Sequence, residues 1–106
     1  EMTAVEELGG DAEPDQFALS QNYPNPFNHN TTIEYQISRF GKVEVAVFDV
    51  LGRKIRTLVD AAQTAGYYRL QWNGLTDAGG DVASGVYLYR LRVGGYQQTR
   101  RLMLLK

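Results

Sequence analysis

Cysteine is absent from the 106 residues, and histidine occurs once, as His29. The first absence excludes disulfides, thiolate metal sites and a cysteine nucleophile. The second excludes a histidine-rich metal centre. It also leaves Ser20, Ser38 and Ser84 one candidate base between them, and no nucleophile-elbow pattern surrounds any of the three. Long apolar runs are missing: Leu102-Met103-Leu104-Leu105 falls far short of the ~20 residues that span a bilayer. The acidic first fifteen residues do not read as a secretory leader, so an exported protein would carry its signal on a parent chain. Strong charge of either sign is lacking as well, with a formal net charge of -1. No catalytic set, cofactor, transmembrane segment or nucleic-acid partner is expected from this inventory.

What is present suits one soluble β-rich domain. Hydrophobic residues make up 43% and charged residues 22% of the chain, too little length for two cores. The charge is unevenly placed. Residues 1–16 hold Glu1, Glu6, Glu7, Asp11, Glu13 and Asp15 and no basic residue, while all 11 basic residues fall in 17–106. With Gly9-Gly10 and Pro14 and no sustained periodicity, residues 1–16 read as an acidic flexible linker from an upstream domain. The folded domain is expected over 17–106.

Short alternating runs fill that domain. Ile33, Tyr35 and Ile37 share one face, as do Val43, Val45 and Val47; Tyr68, Leu70 and Trp72; and Tyr87, Tyr89, Leu91 and Val93. Residues 53–60 break the alternation at Ile55, Leu58 and Val59, which suggests a bulge. Phe40-Gly41 and Leu51-Gly52 place glycines where turns require positive φ, and Gly94-Gly95 reads as a two-residue hairpin loop. No segment keeps a 3.6-residue period. The expectation is an all-β, immunoglobulin-like antiparallel β-sandwich of about seven strands, its core including Ile55.

Four local patterns carry possible chemistry. In Gln21-Asn-Tyr-Pro-Asn-Pro-Phe-Asn28, Pro24 and Pro26 exclude a central strand, and Asn22, Asn25 and Asn28 favour Asx-turns. Tyr23 and Phe27 are expected to anchor this rigid loop on the core; the alternative is a surface read by a partner. Asp77 and Asp81 near glycines hint at calcium, but the spacing lacks a terminal bidentate Glu. Asn30-Thr31-Thr32 matches a glycosylation pattern that matters only in a glycosylating host. Tyr67, Tyr68 and Trp72 would serve a sugar platform only if exposed, and alternation puts Tyr68 and Trp72 on the core face.

Several stretches together resemble a known family. These are Phe17-Ala-Leu-Ser-Gln-Asn-Tyr-Pro-Asn-Pro-Phe-Asn28, Thr31-Thr-Ile33, Val47-Phe-Asp-Val-Leu-Gly-Arg53 and Gly85-Val-Tyr-Leu-Tyr89, in a chain ending at Lys106. In that order they are similar to the C-terminal sorting domain of type IX (Por) secretion cargo. His29 and Asn30 depart from the proline and serine common there. Residues 72–91 also resemble the immunoglobulin-like repeat of the flagellar hook-assembly scaffold protein. The resemblance implies a signal that directs a larger cargo, commonly a secreted enzyme, through the periplasm and across the outer membrane to the surface or the medium. It implies an outer-membrane translocon and a sortase-like protease as partners, and an upstream cargo domain on the same chain. It also points to the final stretch, with Leu102, Leu104 and Lys106, as part of what is recognised.

A two-residue turn at Gly94-Gly95 sets Arg90 opposite Thr99, Arg92 opposite Gln97 and Leu88 opposite Arg101. Arg90, Arg92 and Arg101 would then line the outer face of the last hairpin and steer docking to an acidic receptor. Two other readings compete: a carbohydrate-binding or cell-attachment immunoglobulin-like accessory module, and a passive spacer.

Overall fold

Alternation of apolar and polar residues becomes eight strands in the computed structural model, which describes residues 4–10 and 12–106. They are β1 (Val5–Leu8), β2 (Ala18–Leu19), β3 (Thr31–Ile37), β4 (Gly41–Phe48), β5 (Lys54–Gln63), β6 (Gly66–Trp72), β7 (Gly85–Val93) and β8 (Tyr96–Leu104). Two four-stranded sheets result, ordered β1-β6-β3-β2 and β5-β4-β7-β8, with every named pair antiparallel. This is an immunoglobulin-like sandwich with no helix among the described residues.

The core lies where the alternation places it. Ile33, Tyr35, Ile37, Val43, Val45, Val47, Leu70, Trp72, Tyr87, Tyr89 and Leu91 are all buried between the sheets. Ile55 is only partly buried, a departure with a local cause. Strand β5 is bulged twice against β4: Val45 pairs with Val59 but Ala46 with Thr57, and Val47 with Arg56 but Phe48 with Lys54. Each bulge inserts a residue, so Leu58 and Val59 are both buried while Ile55 is turned partly outward.

Two expectations change. The acidic segment is not all linker: Val5–Leu8 pairs with β6, Val5 opposite Leu70 and Leu8 opposite Tyr67. Its few residues carry too weak a periodicity to announce a strand, and an exposed β6 edge supplies the template. Glu1 and Asp11 lie outside the described residues. Gly41 is not a turn glycine with positive φ; it opens β4. A Cβ there would come within 3.1 Å of Val93 Cγ1, so close approach is the reason for glycine. Gly52, with φ 86°, does fill the left-handed position expected of it.

Candidate functional site

The Asn- and Pro-rich loop is a seam along the last strand. Phe27 N–H donates to Met103 O (3.0 Å), and Leu105 N–H donates to Phe27 O (2.8 Å). Met103 N–H donates to Asn25 Oδ1 (2.9 Å), and Gln21 Nε2 donates to Arg101 O (2.7 Å). These bonds occupy part of the edge that β8 turns away from β7, where unpaired groups would otherwise await another chain. The Phe27 ring supplies the apolar part of the seam. It is buried, 5.7 Å from Trp72 centroid to centroid.

A buried polar network locks the start of the loop. The Tyr89 hydroxyl donates to Ser20 O (2.6 Å) and accepts from Asn22 N–H (2.8 Å). Asn22 Nδ2 donates to Thr31 Oγ1 (2.9 Å), which donates to Pro24 O (2.9 Å). Burial pushes the Tyr89 hydroxyl up to about 12. The two expected anchors therefore divide. Phe27 is one. Tyr23 is half exposed and reaches sideways to Glu34 Oε2 (3.0 Å), so it does not anchor the loop in the core. Both X-Pro bonds in the loop, Tyr23-Pro24 and Asn25-Pro26, are cis. Asn28 borders a shallow cavity.

The last hairpin has the expected register: Arg90 opposite Thr99, Arg92 opposite Gln97 and Leu88 opposite Arg101. Its cations are arranged differently from a free basic row. Glu44, the next strand over, draws in Arg90 Nη2 (3.3 Å), Arg92 Nη2 (3.2 Å) and Lys54 Nζ (2.8 Å). The Lys54 bond, with help from Arg90 and Arg92, holds the Glu44 carboxyl below its ordinary value. Arg90 also lies over the Phe48 ring, 4.7 Å from its centroid. Arg101 is exposed. Glu44 was missed as the counter-charge because nothing local in the sequence makes β4 the neighbour of β7.

Leu102 and Leu104, expected within the recognised final stretch, stand in the core. Their exposures are 2% and 1%, and both belong to the core cluster. Alternation on β8 turns them inward and leaves Arg101, Met103 and Leu105 outside. Lys106 N–H donates to Ser84 Oγ (2.9 Å), and its Nζ lies 3.7 Å from Asp81.

The remaining candidates are held by structural contacts. Asp77 Oδ1 accepts Thr57 N–H (3.0 Å). Among the described residues no group of three metal-donor side chains converges. His29, Asn28, Asn73, Asp81 and Lys106 border an open cavity of about 370 Å³ floored by Leu104. Trp72 and Tyr68 are buried, and Trp72 Nε1 donates to Leu75 O (2.9 Å), so no exposed aromatic platform forms from them. No helix among the described residues is long and apolar enough to cross a membrane.

A two-sheet sandwich whose terminal strand is stitched to an Asn/Pro loop defines a class of immunoglobulin-like domain, and the comparisons place it more closely. The family model described as the secretion system C-terminal sorting domain matches residues 21–105, so the chain belongs to that family. No curated protein matches it. Among solved structures, dimeric latent PorU from Porphyromonas gingivalis is similar in fold, with a TM-score of 0.69 and 20% identity; the match covers 92% of this chain and 10% of that one. PorZ, an essential bacterial surface component of the type IX secretion system of Porphyromonas gingivalis, aligns with a TM-score of 0.57 and 23% identity, over 92% of this chain and 12% of that one. The chain thus spans about a tenth of either neighbour.

Proposed function

We propose that the domain is the sorting signal of a larger exported protein. In this reading it carries an upstream cargo, such as a secreted enzyme, through the periplasm. An outer-membrane translocon then reads it, and a sortase-like protease separates it from the cargo at the surface. Residues 17–106 form the signal. Residues 1–16 connect it to the cargo, with Val5–Leu8 docked on β6 as the connection enters the fold.

Membership of the sorting family over residues 21–105 carries this reading. The seam adds a physical reason for a signal that must fold. Leu102 and Leu104 stand in the core, so the last strand presents its outer side chains in fixed positions only when the sandwich has closed around its inner ones. A non-catalytic role fits a chain with one histidine and no cysteine. Turnover of an ester or polysaccharide that vanishes with His29→Ala would overturn that part.

The test places all 106 residues behind a signal peptide and a neutral reporter in a host with type IX machinery. The reporter should reach the medium or the surface, and deletion of residues 102–106 should hold it in the periplasm. Retention of the intact fusion, with the domain folded, would overturn the sorting assignment.

A further inference from the structure

Asparagine occurs five times, as Asn22, Asn25, Asn28, Asn30 and Asn73, and only Asn73 is followed by glycine. In that pairing the backbone nitrogen of the second residue attacks the side-chain amide of the first most easily. The ring that closes has five members, and glycine brings no Cβ to shield the nitrogen. The other four are poorer. Asn25 precedes Pro26, which has no N–H to give up. Asn22 is buried, with its Nδ2 held by Thr31 Oγ1. Asn28 and Asn30 are exposed, but they precede His29 and Thr31, whose side chains crowd the nitrogen.

The fold arranges the groups that this reaction uses. Asn73 is exposed and follows directly on β6. Its Oδ1 accepts from Leu75 N–H (3.2 Å), so the side chain is folded back over the Gly74 peptide instead of reaching into solvent. That donor points at the oxygen on which negative charge builds when the amide carbon is attacked. Its neighbours are pinned: Leu75 O accepts from Trp72 Nε1 (2.9 Å), and Gly74 O accepts from Val82 N–H (3.2 Å). The reacting nitrogens are not engaged. Neither Gly74 N–H nor Asn73 Nδ2 donates a hydrogen bond among the described residues. Asn73 and Gly74 both line the open cavity of about 370 Å³, which gives water a way in and ammonia a way out.

We propose that Asn73-Gly74 is a self-modifying site, where the folded domain converts asparagine to aspartate or isoaspartate without an enzyme. The Gly74 nitrogen bonds to Asn73 Cγ, and water carries its proton to Nδ2. The Cγ–Nδ2 bond breaks, ammonia leaves, and a cyclic imide remains. Water then adds to one of the two imide carbonyls and opens the ring, so no oxidant or reductant takes part. The added carboxylate takes the formal net charge from -1 to -2. It stands on the wall of the cavity that Asp81 and Lys106 also border, 3.7 Å apart as an ion pair. The isoaspartate product routes the backbone through the side chain, just before the Leu75 carbonyl that holds Trp72 Nε1. The site is independent of the sorting reading.

The test ages the purified full chain, folded, at mildly alkaline pH, beside a second sample held unfolded in denaturant. The peptide holding Asn73 should gain the mass difference between an amide and an acid in the folded sample. A more acidic band should grow on isoelectric focusing, and the peptides holding Asn28 and Asn30 should stay unchanged. Asn73→Gln would have to close a six-membered ring and should lose the acidic band. If that variant does not fold, the peptide map of the wild type decides alone. Conversion of Asn73 in denaturant but not in the folded chain would show that the fold protects the residue and would overturn the proposal. Equal conversion at Asn28 or Asn30 in the folded chain would overturn it too, as would an acidic band that persists in a folded Asn73→Gln variant.

Discussion

Strands β6 and β8 would each end a sheet if an N-terminal segment did not cover them, and the two covers differ in kind. On β6 lies Val5–Leu8, held by a backbone ladder, by Val5 packed at the margin of the core, and by Glu6 with Arg69 at 3.6 Å, a largely solvated ion pair. On β8 lies the loop around Phe27, held by a buried ring, a buried Tyr89-Asn22-Thr31 network and side-chain bonds from Gln21 and Asn25. A ladder accepts almost any extended chain. The seam accepts only side chains of the right shape and polarity. The first cover is therefore an exchangeable addition to the sandwich, and the second is part of its core.

Truncating the seam should cost most. Phe27→Ala and Trp72→Ala remove facing rings and should each lower stability by about 3–5 kcal/mol in denaturant titration. A loss below about 1 kcal/mol at Phe27 would make the two covers equivalent. Next comes Tyr89→Phe, which removes the bond to Ser20 O and strands the buried Asn22 N–H, and should cost ~1–3 kcal/mol at neutral pH. Because the folded Tyr89 titrates near 12 against an ordinary 10.0, its contribution is complete below pH 10 and lost as pH rises toward 12. The gap between wild type and variant should narrow across that window; a constant gap would show that the hydroxyl is not buried.

Glu44→Gln should have a smaller effect, about 1–2 kcal/mol, since Arg92 and Lys54 are partly solvated. The folded carboxyl titrates below 4.5, so its contribution is complete above that pH and lost as pH falls through the depressed value. The variant should lose less stability on acidification than the wild type. Deleting residues 1–10 should matter least, at about 1 kcal/mol, because it removes an edge ladder, one surface ion pair and only the partly buried Val5 from the margin of the core. A loss matching Phe27→Ala would mean that β1 belongs to the core and that the contrast between the covers is wrong.

The candidate site was legible in part. Alternation located the buried faces of β3, β4, β6 and β7, and Gly94-Gly95 gave the β7–β8 register residue for residue. Phe27 was recognisable as an anchor because a large apolar ring in a polar, proline-stiffened loop has few other uses. Tyr23 looked the same and is not one; its hydroxyl finds Glu34 on a strand whose position the local pattern does not reveal. Arg90 and Arg92 read as a free basic row until β4 brought Glu44 beside them.

The division has a physical cause. Side-chain direction along a strand alternates whatever lies beside it, so strand identity, inner and outer faces and tight-turn register follow from neighbours in the chain. Edge closure, ion pairing and exposure depend on residues brought from far away: Val5 onto Leu70, Phe27 onto Leu104, Glu44 between Lys54 and Arg92. The same alternation that put Leu102 and Leu104 in the core left Met103 and Leu105 outside. It took the closed sandwich to leave them standing in water at the end that carries Val50 and Leu51.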